Sequence, residues 1–161
     1  MNRSTTVAFT GHRTYRGEAD EALRTTIRTL YAEGYRTFLG GMAVGFDLSA
    51  AEAVLALRDE LRDVRFVAII PFASQGAGFA AAVRHRYDKI VAAADERITL
   101  SDGYFKGCYQ VRNRYLVDHA SVLVAWYNGS SGGTQQTFLS ALHRGLRVEN
   151  LGAIRPEQRL F

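Results

Sequence analysis

The sequence predicts one α/β domain of the Rossmann-like type, in which a mostly parallel sheet lies between two layers of helices. Short apolar segments alternate with helix-prone segments of about 10 to 17 residues, the pattern of a parallel sheet covered on both faces. One segment, RFVAIIP at 65–71, is almost wholly apolar, as in a central strand buried on both sides. The 161 residues show no internal repeat and no linker, so we expect a single domain over 1–161.

The first half of the chain alternates between strand and helix signals. The β-rich segment TTVAF predicts the first strand. Leu23, Ile27 and Leu30 at helical spacing predict the first helix, and Gly34 is its natural stop. A second apolar run, a glycine turn and an Ala-rich segment then predict another strand and helix. The expected elements are strands at 5–9, 35–39 and 65–71 and helices at about 17–33 and 47–61.

The second half continues the alternation. Phe79, Val83, Tyr87 and Ile90 lie at helical spacing and predict the third helix. The apolar run SVLVAW predicts a strand that leaves into the polar loop YNGSSGGT, and Gly145 ends the last helix. The expected elements are helices at about 79–94, 109–119 and 134–144 and strands at 97–100, 121–126 and 147–151.

Composition and charge limit the class of protein. The chain is 47% hydrophobic and 22% charged, which is ordinary for a globular domain, and no apolar run is long enough for a membrane span. No signal peptide is apparent, and the single cysteine, Cys108, fits core packing in a reducing compartment, so we expect a cytoplasmic protein without a membrane partner. The net charge of +4 is carried mostly by scattered arginines, so we expect nucleic-acid binding to be weak.

A glycine-rich turn lies between the second strand and the second helix, in FLGGMAVGFDLSAAEAVL at 38–55. Gly40, Gly41 and Gly45 would let an anion approach the main chain, and a helix N-terminus favours negative charge. Asp47 stands where an N-cap side chain is expected. The stretch therefore predicts a phosphate site, while the alternative is a tight βα turn of an ordinary domain.

Polar and glycine residues also follow the other strands, and together they predict a ligand site at the carboxyl edge of the sheet. The loop residues are Thr10, Gly11, His12 and Arg13 after the first strand, Pro71, Phe72 and Gln75 after the third, and Asn128, Gly129, Gly132, Gly133 and Thr134 after the fifth. The GGT at 132–134 repeats the junction of glycine loop and helix, and its alternative is a plain N-cap threonine.

Four side chains have candidate roles in that site. Arg13 is suited to clamp a phosphate and His12 to bond a sugar or base, although a solvated loop arginine is the alternative. Arg112 and Asn113 lie on the helix before the fifth strand, and buried pairing of Arg112 with Asp118 or Asp47 is equally open. Histidine, cysteine and carboxylate residues show no metal-ligand spacing, and the P-loop and GxGxxG motifs are absent.

Four motifs in chain order resemble the YpsA-like family of the SLOG superfamily. They are TGHR, GGMAVGFDLSAAE, PF with a glutamine three residues later, and RNRYLVDHASVLVAWYNGSSGGT, which together span nearly the full chain. The resemblance implies a Rossmann-like fold and a nucleotide or nucleotide-derived ligand. The superfamily also includes the LOG-type nucleotide phosphoribohydrolases and the DNA-processing protein A group.

The sequence departs from both of those groups. LOG enzymes resemble PGGxGTxxE in the last loop, where the glutamate serves catalysis, and the matching residue here is Thr137. An enzyme of this type would need Asp47 or Glu52 as its carboxylate. The GxAxGxD pattern of DNA-processing proteins is matched at 41–47, but a concentrated basic groove is missing.

We therefore expect a protein that binds or senses a nucleotide or an ADP-ribose-like phosphate ligand. The alternatives are a LOG-like nucleotide N-glycosidase and a single-stranded nucleic-acid module. The small phosphate-containing ligand is the expected partner, and no cofactor beyond such a nucleotide is assigned. For the oligomeric state, a homodimer is one alternative, because small domains of this type often pair through their helices.

Overall fold

A computed structural model describes residues 1–153 as an open, six-stranded sheet with helices on both faces. The sheet is parallel at every pairing, in the order β4-β3-β2-β1-β5-β6. The strands are β1 Thr6–Gly11, β2 Thr37–Gly40, β3 Arg65–Ile70, β4 Glu96–Thr99, β5 Val122–Trp126 and β6 Arg147–Asn150. The helices are α1 Asp20–Ala32, α2 Phe46–Glu60, α3 Ala81–Ala93, α4 Cys108–Asp118 and α5 Gly133–His143.

The predicted fold class and the order of elements are confirmed. Several details differ from the sequence prediction, among them the starts of α1 at Asp20 and of β2 at Thr37. The first strand runs on to Gly11, the third helix starts at Ala81, and Gln75–Gly78 forms a 3-10 turn before it. The predicted single domain ran to residue 161, and its last part, 154–161, lies outside the described residues.

The two faces of the sheet carry separate cores, as alternation along buried strands requires. Val7, Phe9 and Phe38 lie in the core beneath α1, α2 and α3, whereas Ala8 and Leu39 lie in the core beneath α4 and α5. The predicted apolar residues of α1 (Leu23, Ile27 and Leu30) are all buried in the first of these cores. Because successive residues of each central strand face different cores, both faces of the strand are apolar. Strands with few polar residues therefore fit only at the centre of a three-layer domain.

The chain reverses its direction of travel across the sheet between β1 and β5. From β1 it moves outward through β2 and β3 to β4, and α4 then carries it back to β5 on the other side of β1. Gly11 pairs with Trp126 where the two central strands end, and the His12 N–H donates to the Trp126 carbonyl oxygen at 3.4 Å. In open α/β sheets such a reversal leaves a crevice outside the carboxyl ends of the strands.

Within residues 1–153, none of the helices has the length and apolar character that crossing a membrane requires.

Candidate functional site

A cavity of about 650 Å³ lies at the carboxyl edge of the sheet, over the reversal between β1 and β5. Its walls come from the loops after β1, β2 and β5, from the first turns of α2 and α5, and from α4. Eleven of the predicted site residues line it together: Thr10, Gly11, His12, Arg13, Asp47, Arg112, Asn113, Asn128, Gly132, Gly133 and Thr134. The loops therefore converge on one space, which we call the main cavity.

The N-terminus of α5 faces the main cavity with its first turn uncapped. Gly132, at φ 137°, is the N-cap residue, and no side chain accepts a hydrogen bond from this turn. The first helical bond is from the Gln136 N–H to the Gly132 carbonyl oxygen at 3.1 Å. The backbone N–H groups of Gly133, Thr134 and Gln135 have no acceptor among residues 1–153. Thr134 is therefore a first-turn residue and not the N-cap, and the turn offers three donors to an anion.

Asp47 is a buried carboxylate in the wall of the main cavity. Its Oδ2 accepts from the Ala43 N–H at 3.2 Å, whereas Oδ1 has no hydrogen-bond partner in the described part of the chain. Burial raises the pKa of Asp47 to about 6, and the nearby Arg112 charge and the Ala43 bond only partly oppose this effect. A carboxylate that lacks a donor in a buried wall is costly unless something else supplies the donor.

The predicted N-cap role of Asp47 is wrong. The cap residue of α2 is Gly45, at φ 93°, and Asp47 lies within the first turn. The start of α2 is instead held by the β1 loop, because the Phe46 N–H donates to the His12 carbonyl oxygen at 3.3 Å. The start of α2 therefore does not depend on a side-chain cap, and the buried Asp47 carboxylate is not used as one.

Arg112 crosses from α4 to the loop after β2. Its Nη1 donates to the Gly41 carbonyl oxygen at 2.5 Å, and its Nε donates to Asn113 Oδ1 at 2.8 Å. The alternative in which Arg112 pairs with Asp118 is wrong, because Asp118 pairs with Arg144. Asp47 and Arg112 interact through their charges, without a hydrogen bond between them in the described chain. Burial lowers the pKa of the Arg112 guanidinium, and the charge of Asp47 acts in the opposite direction. Arg112 is thus a buried cation that fixes the β2 loop.

The glycines that were expected to admit a phosphate have a different role. A Cβ at Gly41 would lie 2.9 Å from Arg112 Cδ and 3.0 Å from Asp47 Oδ2, so this glycine makes room for two side chains. A Cβ at Gly40 would meet the Phe66 ring at 2.7 Å, and one at Gly45 would meet the Arg13 carbonyl oxygen at 2.6 Å. None of the three lines the main cavity. The prediction that they cradle a phosphate is therefore replaced by the alternative of a tightly packed βα turn.

His12 braces the loops after the two central strands. Its Nε2 accepts from the Asn128 N–H at 3.2 Å, which places the proton of the neutral ring on Nδ1. The ring packs edge-on against Trp126 at 5.8 Å and tilted against Tyr127 at 5.8 Å. Burial lowers the pKa of His12, so the imidazole is neutral near pH 7. One ring nitrogen positions the loop, and the other is a donor.

A second cavity of about 430 Å³ adjoins the main cavity and shares Arg13, Val44 and Tyr109 with it. Gln75 lies in its wall, on the 3-10 turn after β3. Pro71 is buried and lines neither cavity. Glu52, the other candidate carboxylate, pairs with Arg86 at 2.5 Å on the helical layer of α2 and α3. Pro71 and Glu52, like Gly40, Gly41 and Gly45, therefore lie outside both cavities.

Several residues of the main cavity were not among the predicted site residues. Tyr109 and Gln110 stand at the start of α4, just after Gly107 at φ 97°, and that glycine was the available signal.

Met42 is the only residue other than glycine with positive φ in 1–153, at φ 65°, and it is fully buried. Cys108 is buried, as the packing interpretation predicted. Within the described chain, no three His, Cys, Asp or Glu residues are placed to hold a metal ion.

Solved structures with the same fold include two DNA processing proteins A. The protein from Streptococcus pneumoniae superposes with a TM-score of 0.66 at 19% identity, over 91% of this chain and 50% of that one. The protein from Helicobacter pylori, solved for its single-stranded DNA binding mode, gives 0.66 at 18% identity, over 92% of this chain and 65% of its own. This chain therefore spans between half and two thirds of those proteins, and the likeness shows a shared fold.

Sequence relatives are found among bacterial proteins. A UPF0398 protein of Halalkalibacterium halodurans is 29% identical over 131 residues, which cover 80% of this chain and 69% of that protein. The SPbeta prophage-derived protein YoqJ of Bacillus subtilis is 27% identical over 128 residues, or 72% of this chain and 75% of YoqJ. The profile described as the YspA SLOG family matches residues 8–150. With β1 to β6 inside that match almost completely, this protein belongs to the YpsA family of SLOG proteins.

Proposed function

We propose that this protein binds a nucleotide or a nucleotide-derived ligand of the ADP-ribose kind, with its phosphate at the N-terminus of α5. The observation that carries the proposal is that unpaired hydrogen-bond donors and an unpaired acceptor belong to the same cavity. Three backbone N–H groups at 133–135 lack an acceptor, and the buried Asp47 Oδ1 lacks a donor. A nucleotide supplies both, because its phosphate accepts hydrogen bonds and its ribose hydroxyls donate them.

The phosphate end is favoured at α5 for electrostatic reasons. The helix dipole places partial positive charge at the uncapped N–H groups. A Cβ at Gly133 would meet only Asn113 Nδ2, at 3.6 Å, so the approach to the backbone is open. The Arg13 side chain is exposed, lines the same cavity and has no ion pair or hydrogen bond within 1–153, so it is available to a second phosphate oxygen.

The ribose end is assigned to Asp47 because a phosphate there would meet a like charge. An ionised carboxylate only accepts hydrogen bonds, and a ribose hydroxyl is a neutral donor. The resulting bond would satisfy the one buried carboxylate oxygen that the described residues leave unpaired in this cavity. Arg112 lies behind Asp47, where it offsets part of the buried negative charge.

Binding without hydrolysis is the simpler chemistry for this arrangement. Asp47 is the only carboxylate among the described residues that line the two cavities. Breaking an N-glycosidic bond needs a carboxylate near the anomeric carbon and usually a separate acid for the departing base. Thr137, which stands where LOG enzymes have their glutamate, is buried and donates to the Gly133 carbonyl oxygen at 2.9 Å.

A thermal-shift and calorimetric screen of AMP, ADP-ribose and NAD tests the proposal. A ligand at 100 times its dissociation constant stabilises the native state by about 2.7 kcal/mol. Gly133→Val should abolish this stabilisation, because the new side chain blocks the α5 N–H groups without a clash inside the protein. Gly103→Val is the matched control, since a Cβ there meets nothing within 4 Å and Gly103 lies outside both cavities. Equal ligand binding by parent and Gly133→Val would contradict the phosphate assignment.

A single-stranded nucleic-acid interface is the second candidate, and one observation favours it. Tyr109, which lines both cavities, and Tyr104, which packs on Phe72, are 42% and 65% exposed, and exposed aromatics are platforms for stacked bases. The structural neighbour from H. pylori was studied for single-stranded DNA binding. Labelled single strands at about 0.15 M salt should bind no tighter than micromolar if the small-ligand proposal is right. Nanomolar binding that Tyr104→Ala weakens would favour the nucleic-acid candidate.

A further inference from the structure

The second cavity has the lining of a site for a flat, polar-edged ring. Phe72, Phe79 and Val83 form apolar parts of its wall, and Tyr109 stands between it and the main cavity. The Phe72 ring packs edge-on against Tyr104 at 5.6 Å and against Tyr109 at 6.0 Å, which holds the two exposed tyrosines beside the opening. Aromatic faces of this kind stack on nucleobases, whatever the base.

Gln75 adds an unpartnered polar group to that wall. The residue is only 5% exposed, and its Oε1 is buried without a hydrogen-bond donor in the part of the chain that the structure describes. A buried amide oxygen without a partner costs free energy, so such groups are usually satisfied by protein, water or ligand. A side-chain amide carries one acceptor and two donors, the combination that pairs with the edge of a base.

The order of strands places the two cavities in line. Along the sheet edge, the α5 N-terminus follows β5, Arg13 follows β1, Asp47 follows β2, and Gln75 follows β3. Neighbouring strands are about 4.8 Å apart, so the three steps from β5 to β3 span roughly 14 Å. A phosphate alone cannot bridge that span, whereas a nucleotide has its phosphate, ribose and base in the same linear order.

We infer that the second cavity is the base subsite of the nucleotide whose phosphate occupies the main cavity. The base stacks on Tyr109, and its polar edge bonds to the Gln75 amide, with Arg13 and Val44 at the junction between base and phosphate. The inference rests on the proposed function, and it makes the ligand a nucleoside 5′-phosphate in preference to a sugar phosphate or inorganic phosphate.

Calorimetric titration with two matched probes tests the inference on the whole chain. AMP and ribose 5-phosphate share the phosphate and the ribose and differ only in the base. The parent protein should bind AMP at least about ten-fold more tightly than ribose 5-phosphate, which is the usual size of one stacked base. Gln75→Leu and Tyr109→Leu should each reduce that preference by about five-fold or more, through weaker AMP binding.

Tyr115→Leu is the control for Tyr109→Leu, because Tyr115 lies on the same helix, stacks on His119 and lines neither cavity. The control should keep the parent preference for AMP. Equal affinity for AMP and ribose 5-phosphate, or an unchanged preference in Gln75→Leu, would overturn the base subsite and leave the phosphate site standing. If neither probe nor GMP, CMP or UMP binds, the proposed function fails and the base subsite fails with it.

Discussion

The carbonyl oxygen of Gly41 accepts a hydrogen bond of 2.5 Å from Nη1 of Arg112, which lies 71 positions later in the chain. This bond ties the loop after β2 to α4, the helix that crosses back over the sheet. It also holds a positive charge behind Asp47, whose Oδ2 lies beside the same glycine. One wall of the main cavity therefore depends on a contact that is remote in sequence.

Arg112→Met should lower the free energy of unfolding by about 2 kcal/mol, because a charge-assisted bond to a buried carbonyl is lost and that oxygen is left unsatisfied. The pKa of Asp47 should rise further, since Arg112 lowers it in the parent. Urea unfolding at neutral pH measures the stability. Arg114→Met, an exposed change on the same helix, should shift it little. A loss in Arg112→Met no larger than in the control would show that the bond contributes little.

The ionisation of Asp47 should make the protein less stable as pH rises. The pKa of Asp47 goes from an ordinary 3.8 to about 6 in the folded protein, so the folded state holds this proton more tightly than the unfolded state. The stabilising effect of the neutral form is complete below about pH 4 and is lost as pH rises through about 6. The difference between 3.8 and about 6 corresponds to about 3 kcal/mol.

Asp47→Asn removes that titration and is the direct test. The stability of Asp47→Asn relative to the parent should increase by about 3 kcal/mol between pH 3 and pH 7.5. Asp59→Asn on the same helix is exposed and is the matched control. A difference between Asp47→Asn and the parent that stays constant over this range would mean that the carboxylate has found a partner.

Gln75→Leu should raise the free energy of unfolding of the ligand-free protein by about 1 kcal/mol, because it replaces a buried amide without a partner by an apolar group of similar size. Together with weaker AMP binding, this would be the behaviour of a residue kept for a ligand at a cost in stability. Gln110→Leu, an exposed change on α4, controls for the substitution itself. A marked loss of stability in Gln75→Leu would show that the amide already supports the fold.

Gly133 and Gly41 have similar positions in the sequence and different surroundings in the fold. Both follow a strand and precede a helix, and the alternation of strands and helices was enough to put both at one edge of the sheet. A Cβ at Gly133 would make only an ordinary contact with Asn113 at 3.6 Å, whereas one at Gly41 would collide with Arg112 and Asp47. The difference depends on where a helix 71 residues away places one side chain, and no local pattern carries that information.

Contacts with distant parts of the chain also explain why Asp47 is not the N-cap of α2 and why Glu52 lies outside the site. The helix start at Gly45 is set by a hydrogen bond to the β1 loop, so a local capping rule could not place Asp47. Glu52 is a carboxylate, as an N-glycosidase requires. It lies five positions after Asp47 on α2, however, and pairs there with Arg86 on the adjacent helix. Residue types and strand ends predicted the region of the site, and tertiary contacts decided which side chains reach it.

The parent protein should release no free base from AMP or CMP above the uncatalysed background, as measured by chromatography. The positive charge that builds on the ribose needs a carboxylate beside the anomeric carbon, and the departing base needs a proton. Asp47 can serve one of these needs at a time, and its bond from Ala43 holds one of its oxygens in place. Glu52 is committed to Arg86, and Thr137 donates into its own helix at a buried position.

Thr137→Glu restores the residue type of LOG enzymes and should still give no turnover, because the new carboxylate would be buried at a position that is only 2% exposed and would destabilise α5. Asp47→Asn and Glu52→Gln complete the set, with nucleotide binding measured in parallel so that loss of the ligand is not mistaken for loss of chemistry. Parent turnover near one per second, a rate typical of enzymes, would reverse the assignment if Asp47→Asn removed it and Glu52→Gln did not. Asp47 would then be a catalytic carboxylate with a pKa of about 6, suited to proton transfer near neutral pH, and the ribose contact would be its ground-state role.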